Sequence, residues 1–458
     1  MTNRRLASLL LLLLDFGSLV AVFHLIGWMR GIVVIGAFDV AALLVPFVVL
    51  VLAVHLIDGY SPRTDMLSLA YTSQHAIALM VAMLAMLLVT FGLIKNPYSL
   101  QSSRAVIALS YLALVPITLI YRRWVTLRML RRRRQRPIVF LGNQGSCVTF
   151  KETCQKNRLA QEVIFIATDA SSHESVTPLI ELEMQTLAEL PPILDKLAPQ
   201  IEAIVLHESS RDLPAAVSEK LTELHFLGMP TYTLELFHEV YWRKIPLERL
   251  NQIWLFQEGF QIAREPVFAR IKRLSDIGLA LTGLVLSSPL LLASALAVWL
   301  EDRGAVFYRQ TRIGKNRVPF LLCKFRTMRA DAERGDPYTH PHDPRITRVG
   351  RLLRAARLDE LPQLWNVLRG DMSLIGPRAE WTKLVDRYQR EIPCYHFRHL
   401  IKPGITGWAQ VNHPYGDSLD DTLRKLEFDL YYVRYFSFVL DASIVLKTIQ
   451  IMLFGKGR

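Results

Sequence analysis

Four apolar runs open the chain, at residues 6–28, 32–57, 67–94 and 105–121. Each approaches or exceeds the roughly 20 residues that carry a helix across a bilayer, the last only marginally. The first follows Arg4-Arg5, as a signal peptide would. It is too long for one, lacks a small-x-small cleavage site, and is succeeded by more apolar runs. The pattern therefore predicts four transmembrane helices within a first domain at 1–122. A basic collar follows, made of Arg122, Arg123, Arg128, residues 131–134 and Arg136. The positive-inside rule puts it in the cytoplasm, and four crossings put Arg4 and Arg5 there too. Beside a membrane helix such a collar suits anionic headgroups. Asp15 and Asp39 fall inside apolar runs, a functional signal in a membrane, but the pattern assigns neither a role.

From Pro137 short apolar runs alternate with amphipathic ones. Strands are expected at 138–141, 163–168, 201–207 and 231–234, with helices between them, which describes a parallel sheet covered on both faces, a Rossmann-like domain at 137–265. The turn LGNQGS at 141–146 is a degenerate dinucleotide fingerprint without the G-x-G pair, and Asp169 stands where a ribose-binding acid would. Such a fold does not by itself imply a bound cofactor. His207 and His225 read as ordinary packed or surface residues.

The run at 277–300 is again long enough to span but is broken by Ser288-Pro289. Proline in a helix removes one hydrogen bond, and a neighbouring serine can satisfy the freed carbonyl. Arg270, Lys272 and Arg273 precede the run, and Arg303, Arg309 and Arg312 follow it. Both flanks therefore prefer the cytoplasm. A re-entrant helix at 275–300 that dips in and returns satisfies both, whereas a straight span would export the second set. Beyond it, 305–308 and 320–324 read as short strands, 331–342 as a polar loop containing His340 and His342, and 440–454 as a helix along the membrane surface. The fold expected is a membrane α-helical bundle, an α/β Rossmann-like middle domain and an α+β domain at 270–458 with a re-entrant helix.

Composition narrows the chemistry. The chain has 458 residues and a formal charge of +13, which favours anionic partners: nucleic acid, lipid headgroups or phosphorylated substrates. Its four cysteines form no C-x-x-C pair, which points to reduced thiols rather than a zinc ribbon or disulfide framework.

The densest chemistry lies at 347–380. Arg348, Arg351, Arg354 and Arg357 recur every third residue, a basic stripe on a helix. Asp359 and Glu360 follow, then Pro362 and helical spacing through Leu361, Leu364, Trp365 and Leu368 to a stop at Gly370. Two carboxylates at a helix start among arginines offer a nucleophile, a metal ligand and a phosphate seat. Asp is also a preferred N-cap, and spacing alone leaves both readings open.

Three blocks carry a resemblance: KFRTM at 324–328, LDELPQLWNVLRGDMSLIGPR at 358–378 and KPGITGWAQV at 402–411. Together, over 271–458, they resemble the catalytic core of the monotopic phosphoglycosyl transferases, bacterial sugar transferases that make the first membrane-linked sugar of a surface polysaccharide. The four N-terminal helices match the large form of that family, and the ending LFGKGR its exopolysaccharide-associated branch.

The resemblance implies transfer of a sugar-1-phosphate from a UDP-sugar to polyprenyl phosphate, with UMP released. It implies Asp359 as nucleophile, Glu360 with Asp359 as ligands of Mg²⁺, and Lys324, Arg354 and Arg378 as holders of phosphates or carboxylates. Arg326, Lys402, Pro403, Gly404 and Asp429 are implied on the substrate side, and Ser288-Pro289 as the turn inside one leaflet. An Asp among arginines is ionised near neutral pH and attacks phosphorus without a separate base. The chain departs from many relatives at 412–416, NHPYG, which leaves the sugar open.

Partners expected are the UDP-sugar, the polyprenyl phosphate, the bilayer and, by analogy, a second copy. The site belongs on the cytoplasmic face of a bacterial inner membrane. A non-catalytic scaffold would need no acidic pair, and a nucleic-acid binder would show a groove-reading motif that is absent from the sequence. A multi-span transferase attacking directly would carry its acids on loops between many membrane helices.

Overall fold

The computed structural model describes residues 3–32, 41–61, 64, 66–93, 103–133, 136–157, 159, 161–168, 183–197, 201–207, 213–247, 266–329, 343–413 and 418–454. They form two compact units, Met1–His75 with Leu79–Arg243, and Lys244–Arg458 with Ala76–Ala78.

The first unit opens with helices α1 (Asn3–Met29), α2 (Leu44–Leu56), α3 (Leu69–Leu93) and α4 (Arg104–Arg133). Ser8–Met29, Tyr71–Phe91 and Arg104–Arg128 are long and apolar enough to cross a membrane. α2 is not. Its 13 residues rise roughly 20 Å, against a hydrocarbon core of about 30 Å. Among the described residues, the run at 32–57 gives the 3-10 turn Ala41–Leu43 and this short helix. Residues 33–40, with Asp39, lie outside the described residues.

Asp15 on α1 is fully buried and pairs with Arg122 on α4 at 2.6 Å. Tyr60 Oη donates to the same carboxylate at 2.5 Å, and Tyr121 Oη donates to its other oxygen. Arg122, expected in the basic collar, is therefore an internal residue. α4 stays helical past it, and a buried carboxylate requires a compensating charge. Arg123 donates to Thr72 Oγ1 at 2.7 Å, and Arg128 lies over the Trp124 ring.

The same unit contains a five-stranded parallel sheet: β1 (Ile138–Gly142), β2 (Val163–Ala167), β3 (Met184–Thr186), β4 (Ala203–Leu206) and β5 (Thr231–Thr233), in the order β3-β2-β1-β4-β5. Helices α5 (Gln144–Lys156), α6 (Leu190–Leu197) and α7 (Ala215–Phe226) lie between successive strands, and the short α8 (Leu234–Phe237) follows β5. This is the doubly wound order expected, with β3 an addition that its polar sequence MQT hid.

The turn after β1 is tightly packed. A Cβ on Gly142 would lie 2.4 Å from Ser146 Oγ and 2.8 Å from His207 Cβ, and Asn143 Oδ1 already accepts from Ser146 N at 2.8 Å. Asp169 lies outside the described residues. The four cysteines are free thiols, Cys147 and Cys154 buried.

The second unit begins with α9 (Pro266–Asp302). At 37 residues a straight helix would run about 55 Å, well beyond one bilayer core. Both ends of α9 are held by elements of its own compact unit. At the start, Arg273 donates to the carbonyls of Val367 and Leu368, and Asp276 accepts from Ser373 Oγ and Leu374 N. At the finish, Val298 packs on Phe325 and Leu353, while Glu301 Oε1 accepts from Arg348 N at 2.7 Å. Between them Val285, Leu286 and Leu292 stand exposed. Pro289 supplies no amide to Val285 O, four residues back. Ser288 Oγ donates to that carbonyl at 2.8 Å instead.

An antiparallel hairpin follows, β6 (Phe307–Ile313) and β7 (Pro319–Phe325). Next come α10 (Arg348–Ala355), α11 (Gln363–Arg369), β8 (Ser373–Ile375), α12 (Thr382–Glu391), β9 (Gly404–Thr406), α13 (Trp408–Asn412), α14 (Leu419–Tyr435) and α15 (Phe438–Phe454). The loop at 331–342, with His340 and His342, lies outside the described residues, as do Pro414, Tyr415 and Gly416.

β8 and β9 pair in parallel at a crossing that only glycine permits. A Cβ on Gly404 would stand 2.0 Å from Gly376 N, and one on Gly407 2.1 Å from Gly376 O. Gly404→Ala is expected to lower stability by about 1–3 kcal/mol or more. Gly278→Ala on α9, where a Cβ meets nothing within 4 Å, should leave it unchanged or raise it by up to about 1 kcal/mol. Thermal unfolding midpoints in detergent measure both; equal midpoints would contradict the crossing.

Candidate active site

The site is assembled from β7, the α10–α11 connection and the segment after β8. β7 pairs with β6 on one edge only. Its other edge is matched by one side chain, Asn366 of α11. Asn366 Nδ2 donates to Leu321 O at 2.7 Å, and its Oδ1 accepts from Cys323 N at 3.0 Å. A 1 % exposed amide thus stands in for a neighbouring strand, fixing α11 against the residue beside Lys324. Sequence reasoning passed over Asn366; the available signal was a polar residue amid Leu364, Val367 and Leu368.

α10 is seated through Gly350, where a Cβ would come 2.2 Å from Thr327 O. Arg354 Nε donates to Thr327 Oγ1 at 2.8 Å. The expected basic stripe divides: Arg348 and Arg351 are exposed, while Arg354 turns in. Arg357 adopts a left-handed conformation, φ 54°, and swings the chain out of α10. The two carboxylates then fall in a 3-10 turn, Leu358–Glu360, one step before α11. Asp359 is therefore not the helix cap; Pro362 holds that position and makes no side-chain cap bond.

Glu360 and Asp359 are adjacent but differently engaged. Glu360 Oε1 accepts from Lys324 Nζ at 3.3 Å and from Arg378 NH2 at 3.2 Å. Both bonds use Oε1, and Oε2 has no bond among the described residues. Asp359 is partly buried and has neither hydrogen bond nor ion pair among the described residues.

Electrostatics separate them further. Burial works to raise Glu360, but Arg378 and Lys324 outweigh it and hold the carboxyl at about 2. Burial and then the Glu360 charge push Asp359 up, against Lys324, Arg354 and Arg378. Burial also lowers Lys324. The cations act on both carboxylates, but the net shifts are opposite, Glu360 down and Asp359 up.

Lys324, Arg354, Asp359, Glu360 and Arg378 come together. Pro403 and Gly404 lie under Arg378, with Gly404 N donating to Pro377 O at 2.9 Å and an Arg378–Gly404 bridge beside it. Arg326 is drawn to Asp302 at the end of α9. Lys402 stands near Arg273 and Gly370, at the C-terminus of α11, where burial lowers it. Asp429 on α14 is 1 % exposed and pairs with Arg398 at 2.8 Å; burial raises it to about 6, against Arg398. Arg398 in turn donates to Arg378 O at 3.0 Å. Asp429 thus stands behind the site, not in it. Ser288 and Pro289 lie on the exposed middle of α9.

Glu360 releases its proton more readily folded than unfolded. Its contribution to stability is therefore full above about 4.5 and is lost as pH falls towards about 2, on the order of 3 kcal/mol. Glu360→Gln should flatten that acid limb. Unfolding midpoints across this pH range test it, and parallel profiles for wild type and variant would refute the assignment.

Comparison with known proteins matches these elements to a family. Residues 267–455 fit the bacterial sugar transferase model. Over 261 residues, 57 % of this chain, the protein is 41 % identical to the UDP-N-acetylgalactosamine-undecaprenyl-phosphate N-acetylgalactosaminephosphotransferase of Aeromonas hydrophila, covering 61 % of it. It is 44 % identical over 182 residues to the UDP-glucose:undecaprenyl-phosphate glucose-1-phosphate transferase of Escherichia coli, covering 39 % of each chain. It is 42 % identical over 195 residues, 41 % of this chain, to the exopolysaccharide production protein PSS of Rhizobium leguminosarum, covering 98 % of that protein. The match thus spans less than two thirds of the first two relatives and nearly all of the third. Strands, helices and acidic pair all fall inside the matched region, and the chain belongs to the bacterial sugar transferase family.

Proposed function

We propose that this protein transfers a sugar-1-phosphate from a UDP-sugar to undecaprenyl phosphate, with Asp359 as the nucleophile. The observation that carries this reading is the asymmetry of the acidic pair: Glu360 is held by Lys324 and Arg378, while Asp359 beside it has no bonded partner among the described residues. The Aeromonas and Escherichia relatives are named for transfer to undecaprenyl phosphate, one of N-acetylgalactosamine phosphate and the other of glucose-1-phosphate.

An Asp359 oxygen attacks the phosphorus next to the sugar. The bond from that phosphorus to the bridging oxygen breaks, UMP leaves with the electron pair, and the sugar phosphate remains on Asp359 as an acyl phosphate. An oxygen of undecaprenyl phosphate then attacks the same phosphorus and the aspartyl bond breaks. The carboxylate is restored and a sugar diphosphate lipid is released. Lys324, Arg354 and Arg378 balance the charge gathering on the phosphoryl oxygens. The upward shift of Asp359 makes its ionised form the more basic nucleophile.

The residues present suit a magnesium ion. Among the described residues no three acidic, histidine or cysteine side chains cluster. Magnesium binds through one or two carboxylates and completes its shell with water and substrate phosphates. Asp359 and Oε2 of Glu360 would hold it, and when bound it would neutralise charge on the phosphates.

In this reading α9 enters and leaves the membrane on the cytoplasmic face of the inner membrane, with its bend at Ser288-Pro289. The hydrogen bond from Ser288 to Val285 O and the attachment of both ends of α9 to elements of one compact unit support it. Single cysteines at Arg270 and Arg303, in a background without native cysteines, should both be labelled in inside-out vesicles and neither in intact cells. Labelling of one from outside would make α9 a true span.

UMP release by purified protein, with undecaprenyl phosphate, Mg²⁺ and UDP-glucose, UDP-galactose or UDP-N-acetylhexosamines, tests the reaction. One donor should be used, and Asp359→Asn should lower the rate at least about a thousandfold. Without acceptor, label from the sugar should remain on the wild-type protein and not on the variant. Full activity in Asp359→Asn would remove it as nucleophile; silence with every donor would favour a scaffold role.

A further inference from the structure

We infer that residues 244–247, upstream of the transferase-family region at 267–455, form a clasp that positions Arg378 in the active site. The inference rests on the reading of Arg378 given above. The clasp is built on α14. Lys244 Nζ pairs with Glu427 Oε2 at 2.9 Å, with side chains only 13 % and 15 % exposed. The amide of Ile245 donates to Glu427 O at 3.1 Å, a second donor onto a carbonyl already inside a helix. Ile245 is fully buried in the core formed with Leu426, Leu430 and Val433, and Leu247 packs against it. A segment outside the family region thus contributes to the core of the domain.

Glu427 and Asp429 are two residues apart, about 200° around the helix. The Glu427 carboxylate therefore turns to Lys244 and the Asp429 carboxylate to Arg398 on opposite sides of α14. Arg398 is 5 % exposed and has fixed partners: Asp429 at 2.8 Å, Tyr395 Oη at 2.8 Å and Arg378 O at 3.0 Å. From there the path is one residue long, since the backbone held by Arg398 carries the guanidinium that meets Glu360 at 3.2 Å. A shift of α14 thus moves Arg398, the Arg378 backbone and the charge facing the acidic pair. Buried contacts of this kind transmit displacement because a packed core has little slack.

Lys244 and Ile245 touch no reacting atom and act as positioning residues, so the test separates position from stability. UMP release is followed at a temperature well below every unfolding midpoint, with the donor that wild type uses. Lys244→Ala and Ile245→Ala should each lower kcat about tenfold, short of the roughly hundredfold that an ångström of misplacement can cost. Lys244→Arg and Ile245→Val should recover most of it.

The same substitutions made on Arg378→Ala should change kcat by less than about twofold, because the group they position is gone. If Ile245→Ala fails to fold, the lysine pair decides. Equal factors on the two backgrounds, or no effect on the wild-type background, would overturn the clasp while leaving the reaction standing. A wild type silent with every donor would overturn the reaction and the clasp's role together.

Discussion

A single carboxylate oxygen, Oε1 of Glu360, holds the site together. Lys324 and Arg378 arrive from different elements and would repel each other if brought close alone. Shared by one buried anion, they form a compact charged group. An ion group in a partly dry setting repays its desolvation only when geometry is fixed in advance, and much of the surrounding structure serves that end. Asn366 fixes the strand that carries Lys324, the crossing of Gly376, Gly404 and Gly407 fixes the turn below Arg378, and Arg398 with Asp429 fixes the turn from behind.

The same arrangement separates two neighbouring acids. Glu360 takes the bonds and is held strongly ionised, while Asp359 takes burial and the repulsion of its neighbour. Adjacent groups pushed apart in this way can hold different roles, one as counter-ion and one as reactant. The 3-10 turn lets them do so; with both in a regular helix start, Asp359 would be available to the first free amides as a cap.

Much of this was legible along the chain. Alternating apolar runs predicted the parallel sheet, and helical spacing from Leu361 with a stop at Gly370 predicted α11 closely, since Gly370 has the left-handed conformation expected there. The word blocks pointed to the residues that meet at the site. What was not legible depends on distant partners. Arg122 looked like one of many arginines until Asp15, 107 residues away, claimed it. Arg326, Lys402 and Asp429 carry the same kinds of charge as the site residues, and only the fold sends them to Asp302, to the end of α11 and to Arg398. The run at 32–57 has the hydropathy of a span, but among its described residues α-helix covers only Leu44–Leu56.

The Asp15–Arg122 pair has a consequence for how the chain is made. An acid or an arginine at the centre of a membrane helix raises the cost of insertion by about 3 kcal/mol. α1, which is among the most apolar stretches here with a mean hydropathy of 2.4, can enter with Asp15 uncompensated. Its partner lies 107 residues downstream, roughly 5–20 seconds of synthesis at ordinary ribosome speeds. During that interval Tyr60 can already donate to the acid, and α4 then supplies its counter-charge. The last helix of the group thus completes a pairing that the first one begins.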